Sequence, residues 1–220
     1  MRILVIAQPR SKSMWLNSML ASHYGYRNLK EPYGLTNEKS VMSDNIDNWV
    51  KNVFRITKEL NDKDNIVVKL QTSSLYWKDK WFGLNSFNIE SYDTIYTLRR
   101  QNRVDAICSM SLAQDLYKWH YLETPNTPIQ SKTIDFKKDY QLLCDTVRDD
   151  LAMDKVQQLL PNSISLEYDM LDSWIADNLP NGASHLAESN YNYADWFANY
   201  ASIQTYLDHV RETVCLKLYN

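Results

Sequence analysis

Arg2-Ile3-Leu4-Val5-Ile6-Ala7-Gln8-Pro9-Arg10-Ser11-Lys12-Ser13-Met14-Trp15-Leu16 is the stretch that decides the fold. Residues 2–7 form a short apolar run rich in β-branched side chains, which reads as a buried strand. Gln8 to Ser13 break the run, and from Met14 to Ser22 apolar residues return at helical spacing. A strand, a tight loop and a helix in succession leave backbone N–H groups at a helix N-terminus, a ready anion site. The positive end of a helix dipole favours Asp or Glu, yet this loop carries Arg10 and Lys12 and no acid. A bound anion would relieve that conflict. Residues 7–13 contain no glycine, so this is not a GxxxxGK[ST] phosphate loop. The plain alternative is the first turn of any α/β protein.

Working outward, three more buried strands are expected at 65–71, 94–98 and 163–168. Ile46, Trp49, Val50, Val53, Phe54 and Leu60 trace one helical face. A helix is predicted over about 103–119. Asp135 is read as the N-cap of another that runs to Leu160, where Pro161 stops it. A short helix over 169–179 and a long one from Tyr193 to the end complete the chain. Polar loops are expected at 24–45 and 120–135, with an aromatic-rich irregular stretch at 72–92. Strands alternate with helices throughout, which predicts an α/β fold with a mostly parallel sheet covered on both faces. Ligands of such sheets bind outside the carboxyl ends of the strands, so the loops after the first three of these strands should converge.

The chain has 220 residues and a formal charge of −3, which suits one domain spanning 1–220 and argues against a general nucleic-acid binder. Cys108, Cys144 and Cys215 are widely spaced and odd in number, which argues against a disulfide framework or zinc site and for a reducing, cytoplasmic setting. The four histidines form no metal-binding spacing, and no apolar run approaches membrane-spanning length.

A second basic cluster follows the strand at 94–98. Arg99, Arg100 and Arg103 again put cations at the unfavourable end of a helix, and arginine forks suit phosphate oxygens. Three segments bear the same likeness. Pro9-Arg10-Ser11-Lys12-Ser13-Met14-Trp15-Leu16 resembles the phosphosulfate loop of the sulfotransferases, roughly P-[KR]-S-G-[ST]-[ST]-W-L. Lys12 stands in place of its glycine and Met14 in place of a hydroxyl residue. The run from Leu98 to Ala113 looks like the family's 3′-phosphate segment. It is most similar to the bacterial trehalose sulfotransferase type, roughly RRR-D-x-V-x-Q-A-V-S, with Gln101 where an arginine would stand. Ile164 to Leu171 resembles the family's later strand with its YED-like turn. The family's late R-K-G loop has no counterpart.

The resemblance implies a P-loop-NTPase-like sulfotransferase fold. It also implies an activity: moving a sulfuryl group from 3′-phosphoadenosine 5′-phosphosulfate (PAPS) to a hydroxyl or amine of a small-molecule or glycan acceptor, with no metal. Arg10, Ser11, Lys12, Ser13 and Met14 would hold the 5′-phosphosulfate, and Arg10 would also act in transfer. Arg100 and Ser109, with Arg103 as a possible substitute, would hold the 3′-phosphate, and Tyr168 would lie near the adenine. Glu31, in an E-P dipeptide after the first helix, is the candidate base. Lys69, expensive to bury without a partner at the end of a strand, would steady the transferring group. The rivals are a nucleotide or small-molecule kinase with a degenerate phosphate loop, and an inactive sulfotransferase-like binding module. Fold does not decide between these.

Overall fold

The structure, a computed structural model, describes residues 1–33, 46–77, 80–115, 132–182 and 192–218. Parts of the predicted loops at 24–45 and 120–135, and the end of the helix predicted to 119, lie outside these residues. Five parallel strands form the main sheet, β1 (Arg2–Ala7), β2 (Arg27–Asn28), β3 (Ile66–Gln71), β6 (Thr94–Arg99) and β7 (Ile164–Glu167), in the order β2-β3-β1-β6-β7. β4 (Tyr76–Trp77) and β5 (Lys80–Trp81) make a separate antiparallel hairpin. The helices are α1 (Ser13–Tyr24), α2 (Ile46–Asn61), α3 (Arg103–Asp115), α4 (Tyr140–Leu159), α5 (Leu171–Asn178) and α6 (Tyr200–Leu218). This is the α/β architecture expected, and its strand order is consistent with a P-loop-like fold rather than the Rossmann or flavodoxin order.

The period of two along a strand divides the core. Leu4 and Ile6 of β1 and Ile66, Val68 and Leu70 of β3 join Trp49, Val53 and Leu60 of α2 and Met153 and Val156 of α4. Ile3, Val5 and Ala7 of β1 and Val67 of β3 face the other way, onto Leu16 and Leu20 of α1 and Ile175 of α5. Neither face of β1 meets water, which is why its sequence is an unbroken apolar run rather than an alternating one. A third cluster joins α3, α4 and α6 through Ile107, Leu143, Val147, Ile203 and Leu207.

Three details differ from the sequence reading. Val50 and Phe54, placed on the apolar face of α2, are exposed, whereas Trp49, Val53 and Leu60 are buried. The stripe is narrower than six residues. Asp135 caps the turn before α4 rather than α4 itself, its carboxylate accepting the backbone N–H of Lys137 at 2.9 Å and of Lys138 at 3.1 Å. Residues 193–195 form a single 3-10 turn, and the last long helix starts only at Tyr200. Trp81 and Phe82 of the aromatic stretch serve as core packing, with Phe82 stacked 4.3 Å from Trp49.

Candidate functional site

The chain goes from β1 to one side of the sheet, to β2 and β3, and later to the other side, to β6 and β7. The crevice outside the carboxyl ends of β1 and β6 is therefore the topological switch point, where ligands of open parallel sheets bind. The loop after β1 is unusual there. Arg10 and Lys12 both have left-handed backbones, with φ of 60° and 58°. A non-glycine residue held so costs roughly 1–3 kcal/mol, and such strain concentrates at ligand sites. Alternating backbone hand is also how successive amides curl into an anion-binding concavity. Ser11 donates to the Gln8 carbonyl at 2.6 Å, which closes the loop, and Leu16 N–H bonds to the Lys12 carbonyl at 3.1 Å, which starts α1. The first turn of α1 has no acid, and its N-cap side chain makes no capping bond. Ser11 and Ser13 are buried and Met14 is half-buried.

The two basic segments meet. Arg10 Nε donates to Ser109 Oγ at 2.7 Å across 99 positions of sequence, and Arg100 Nη1 donates to the Arg10 carbonyl at 3.0 Å. The three arginines after β6 have different fates. Arg99 is held by Asp150 at 2.7 Å and Asp154 at 2.6 Å, both on α4. Arg103 turns inward to Gln8 Oε1 at 2.7 Å and the Thr146 carbonyl at 2.9 Å. Arg100 stays with the β1 loop, its guanidinium 4.3 Å from the Tyr168 ring centre and 5.7 Å from that of Tyr193. Arg100 is buried, yet its Nε has no hydrogen-bond partner among the described residues. Of the three, Arg100 is the one set beside the loop.

Lys12 reaches sideways. Its ammonium lies 3.0 Å from both oxygens of Asp172, in the first turn of α5, and 5.0 Å from the Tyr168 ring centre. Tyr168 is thus neither plain core nor an open aromatic face; it is half-buried and flanked by Lys12 and Arg100.

Glu31 and Lys69 form an ion pair. The backbone explains why. Leu29 and Lys30 extend the β2 ladder, with Leu29 N–H bonded to Val67 O and Lys69 N–H to Lys30 O. Lys30 then turns left-handed at φ 54°, and the next residue leaves the sheet beside Lys69. Gln71, two residues further along the same face of β3, donates to the same Glu31 oxygen at 2.9 Å. Burial, and then the Arg10 cation, push the Lys69 ammonium down to about 7. The Glu31 carboxylate in contact with it acts the other way and favours the charged ammonium.

Sequence reasoning missed Gln8, Gln71, Asp149, Asp150 and Asp172. A faint signal existed for two of them. Arg148, Asp149 and Asp150 are consecutive, and three consecutive residues of a helix point in three directions about 100° apart. Asp150 also lies three residues after Val147 and one before Leu151, on the apolar stripe. Asp149 accepts from Thr72 Oγ1 at 2.6 Å and Tyr76 Oη at 3.2 Å, and burial pushes its carboxyl up to about 7 despite those bonds. Burial would raise Asp150 as well, but Arg103 and Arg99, with hydrogen bonds from Arg211 and Gln8, outweigh it and hold that carboxyl below the usual range.

Comparison with models of known protein families and with curated proteins found no match for this chain.

Proposed function

We propose that the chain is a PAPS-dependent sulfotransferase acting on a small-molecule or glycan hydroxyl, or an amine. The observation that carries this reading is the meeting of the two motif segments, Arg10 with Ser109 and Arg100 with the Arg10 carbonyl, at the carboxyl edge of the sheet. A donor with anionic groups at both ends of its ribose suits two cationic segments in contact. Ser11, Ser13 and Met14 with the α1 amides hold the 5′-phosphosulfate, and Arg100 and Ser109 hold the 3′-phosphate. Arg10 spans the two. Arg103, anchored inward, supports Arg100 rather than replacing it. Tyr168 borders the nucleoside.

In transfer, the acceptor oxygen forms a bond to sulfur as the bond from sulfur to the 5′-phosphate oxygen breaks. The acceptor proton passes to Glu31, and adenosine 3′,5′-bisphosphate leaves. Lys69 and Arg10 neutralise the charge that grows on the leaving oxygen, the preorganised electrostatic help such a step needs. Glu31 and Lys69 already share one contact, so the base and the cation stand on the same side of the site.

Calorimetry tests the reading. Adenosine 3′,5′-bisphosphate should bind at least ten-fold more tightly than adenosine 5′-phosphate or ATP, with no need for magnesium. Tighter, magnesium-dependent binding of ATP would favour a kinase. One observation favours a second reading, an inactive nucleotide-binding module: the Lys12 ammonium is turned to Asp172 instead of the loop. Glu31→Gln separates the two. In an enzyme it keeps bisphosphate binding and abolishes sulfuryl transfer, whereas in a module there is no transfer to lose.

A further inference from the structure

Gln8 follows β1 and is fully buried. Each polar group of this residue is used. Its N–H donates to the Leu98 carbonyl of β6 at 3.2 Å, and its own carbonyl accepts from Ser11 at 2.6 Å. The side-chain Oε1 accepts the backbone N–H of Arg100 at 2.9 Å and Arg103 Nη1 at 2.7 Å. Nε2 donates to Asp150 Oδ1 at 3.2 Å and the Asp149 carbonyl at 3.4 Å, both on α4. One amide therefore ties the β1 loop, the turn after β6 and the middle of α4 together. The amide orientation is fixed by these partners, since the reverse would set an oxygen against Asp150 and an NH₂ against two donors.

We infer that Gln8 is the positioning residue that holds the two arginine-bearing segments at one spacing, and so sets the preference for a ligand with two anionic groups over a ligand with one. The inference rests on the sulfotransferase reading for the identity of that ligand. Gln8 lies behind the loop and acts through the Arg100 backbone and the Arg103 side chain. Without it, the Arg100 backbone N–H and the Arg103 guanidinium lose the side chain that ties them to the end of β1, and the turn is left to the bond from the flexible Arg100 side chain to the Arg10 carbonyl. The loop, closed by its own Ser11 bond, keeps its shape. A contact to a single 5′-phosphate then survives, while simultaneous contact to a second phosphate is misplaced, and small misplacements of positioned groups are costly. A buried amide with all of its hydrogen bonds made specifies one geometry.

The test uses Gln8→Asn, whose amide is one methylene too short to span the network, and Gln8→Leu, which keeps the bulk and removes the hydrogen bonds. Calorimetry gives the ratio of affinities for adenosine 3′,5′-bisphosphate and adenosine 5′-phosphate in each folded variant. The expected result is a ratio that falls ten-fold or more while the monophosphate affinity changes less than three-fold. A merely structural residue would weaken both ligands together and leave the ratio alone. If Gln8→Leu does not fold, Gln8→Asn decides. A folded variant that keeps the wild-type ratio overturns the proposal by itself. A wild-type protein with no preference for the bisphosphate overturns the ligand reading, and the proposal with it.

Discussion

Two ionic centres lie on opposite sides of β1, and they are built differently. Around Asp150, one buried carboxylate faces Arg99, Arg103 and Arg211 and the Gln8 amide. Surplus positive charge and a neutral donor fill its lone pairs, and its proton affinity drops. At the edge of β3, Lys69 meets one carboxylate, Glu31, and its proton affinity falls because burial and Arg10 oppose the charge. The first centre is saturated and holds its charges through the physiological range. In the second, burial and Arg10 weigh against the ammonium while Glu31 favours it.

Breaking the saturated centre should have the largest effect. Asp150→Ala leaves three arginines without their shared partner, and removing one member of a buried ionic cluster typically costs about 3–5 kcal/mol. Urea denaturation should show a loss of that size. Next comes Arg100→Ala. Losing a charge-assisted contact should weaken adenosine 3′,5′-bisphosphate by about 1.5–3 kcal/mol, ten-fold or more. Because the buried guanidinium also bonds the Arg10 carbonyl, pairs with Asp105 at 3.4 Å and packs on Tyr168, the same denaturation should show a loss of stability smaller than that of Asp150→Ala.

Asp149, next to Asp150 on α4, is buried without a cation of its own at hydrogen-bond distance among the described residues and accepts from Thr72 and Tyr76. Its folded pKa is raised from 3.8 to about 7. Between those values the folded state binds a proton that the unfolded state releases. The wild-type contribution is therefore present below about pH 4 and is lost as pH rises toward 7. Asp149→Asn does not titrate and keeps an acceptor for Thr72 and Tyr76. Thermal melts should show the variant gaining on wild type as pH rises through that window, and a constant difference would contradict the assignment. The smallest effect belongs to Lys12→Gly. Relief of the left-handed backbone outweighs loss of a half-exposed ion pair to Asp172, for a net gain under about 1 kcal/mol.

The sequence carried the sheet clearly because β1 and β3 are buried on both faces and leave short apolar runs, Ile3 to Ala7 and Ile66 to Val68. It did not carry β2, whose two residues Arg27 and Asn28 are polar and owe their strand state to the neighbouring β3 edge. The cationic loop was legible, since charge opposed to a helix dipole is a local feature. Its tertiary partners were not. Lys12 finds Asp172 across 160 residues, and Gln8 finds Asp150 across 142, and no local pattern encodes such distances. Lys69 was readable as a charge that needed a partner. The identity of that partner depended on the left-handed turn at Lys30, which nothing in the local sequence announces.

The most direct measurement is a crystal structure of the protein with adenosine 3′,5′-bisphosphate. One nucleotide should lie at the carboxyl ends of β1 and β6. Its 5′-phosphate should sit on residues 10–14, its 3′-phosphate on Arg100 and Ser109, and its 5′ end toward Lys69 and Glu31. A nucleotide bound elsewhere, or bound with the 3′-phosphate away from Arg100, would contradict the proposed site.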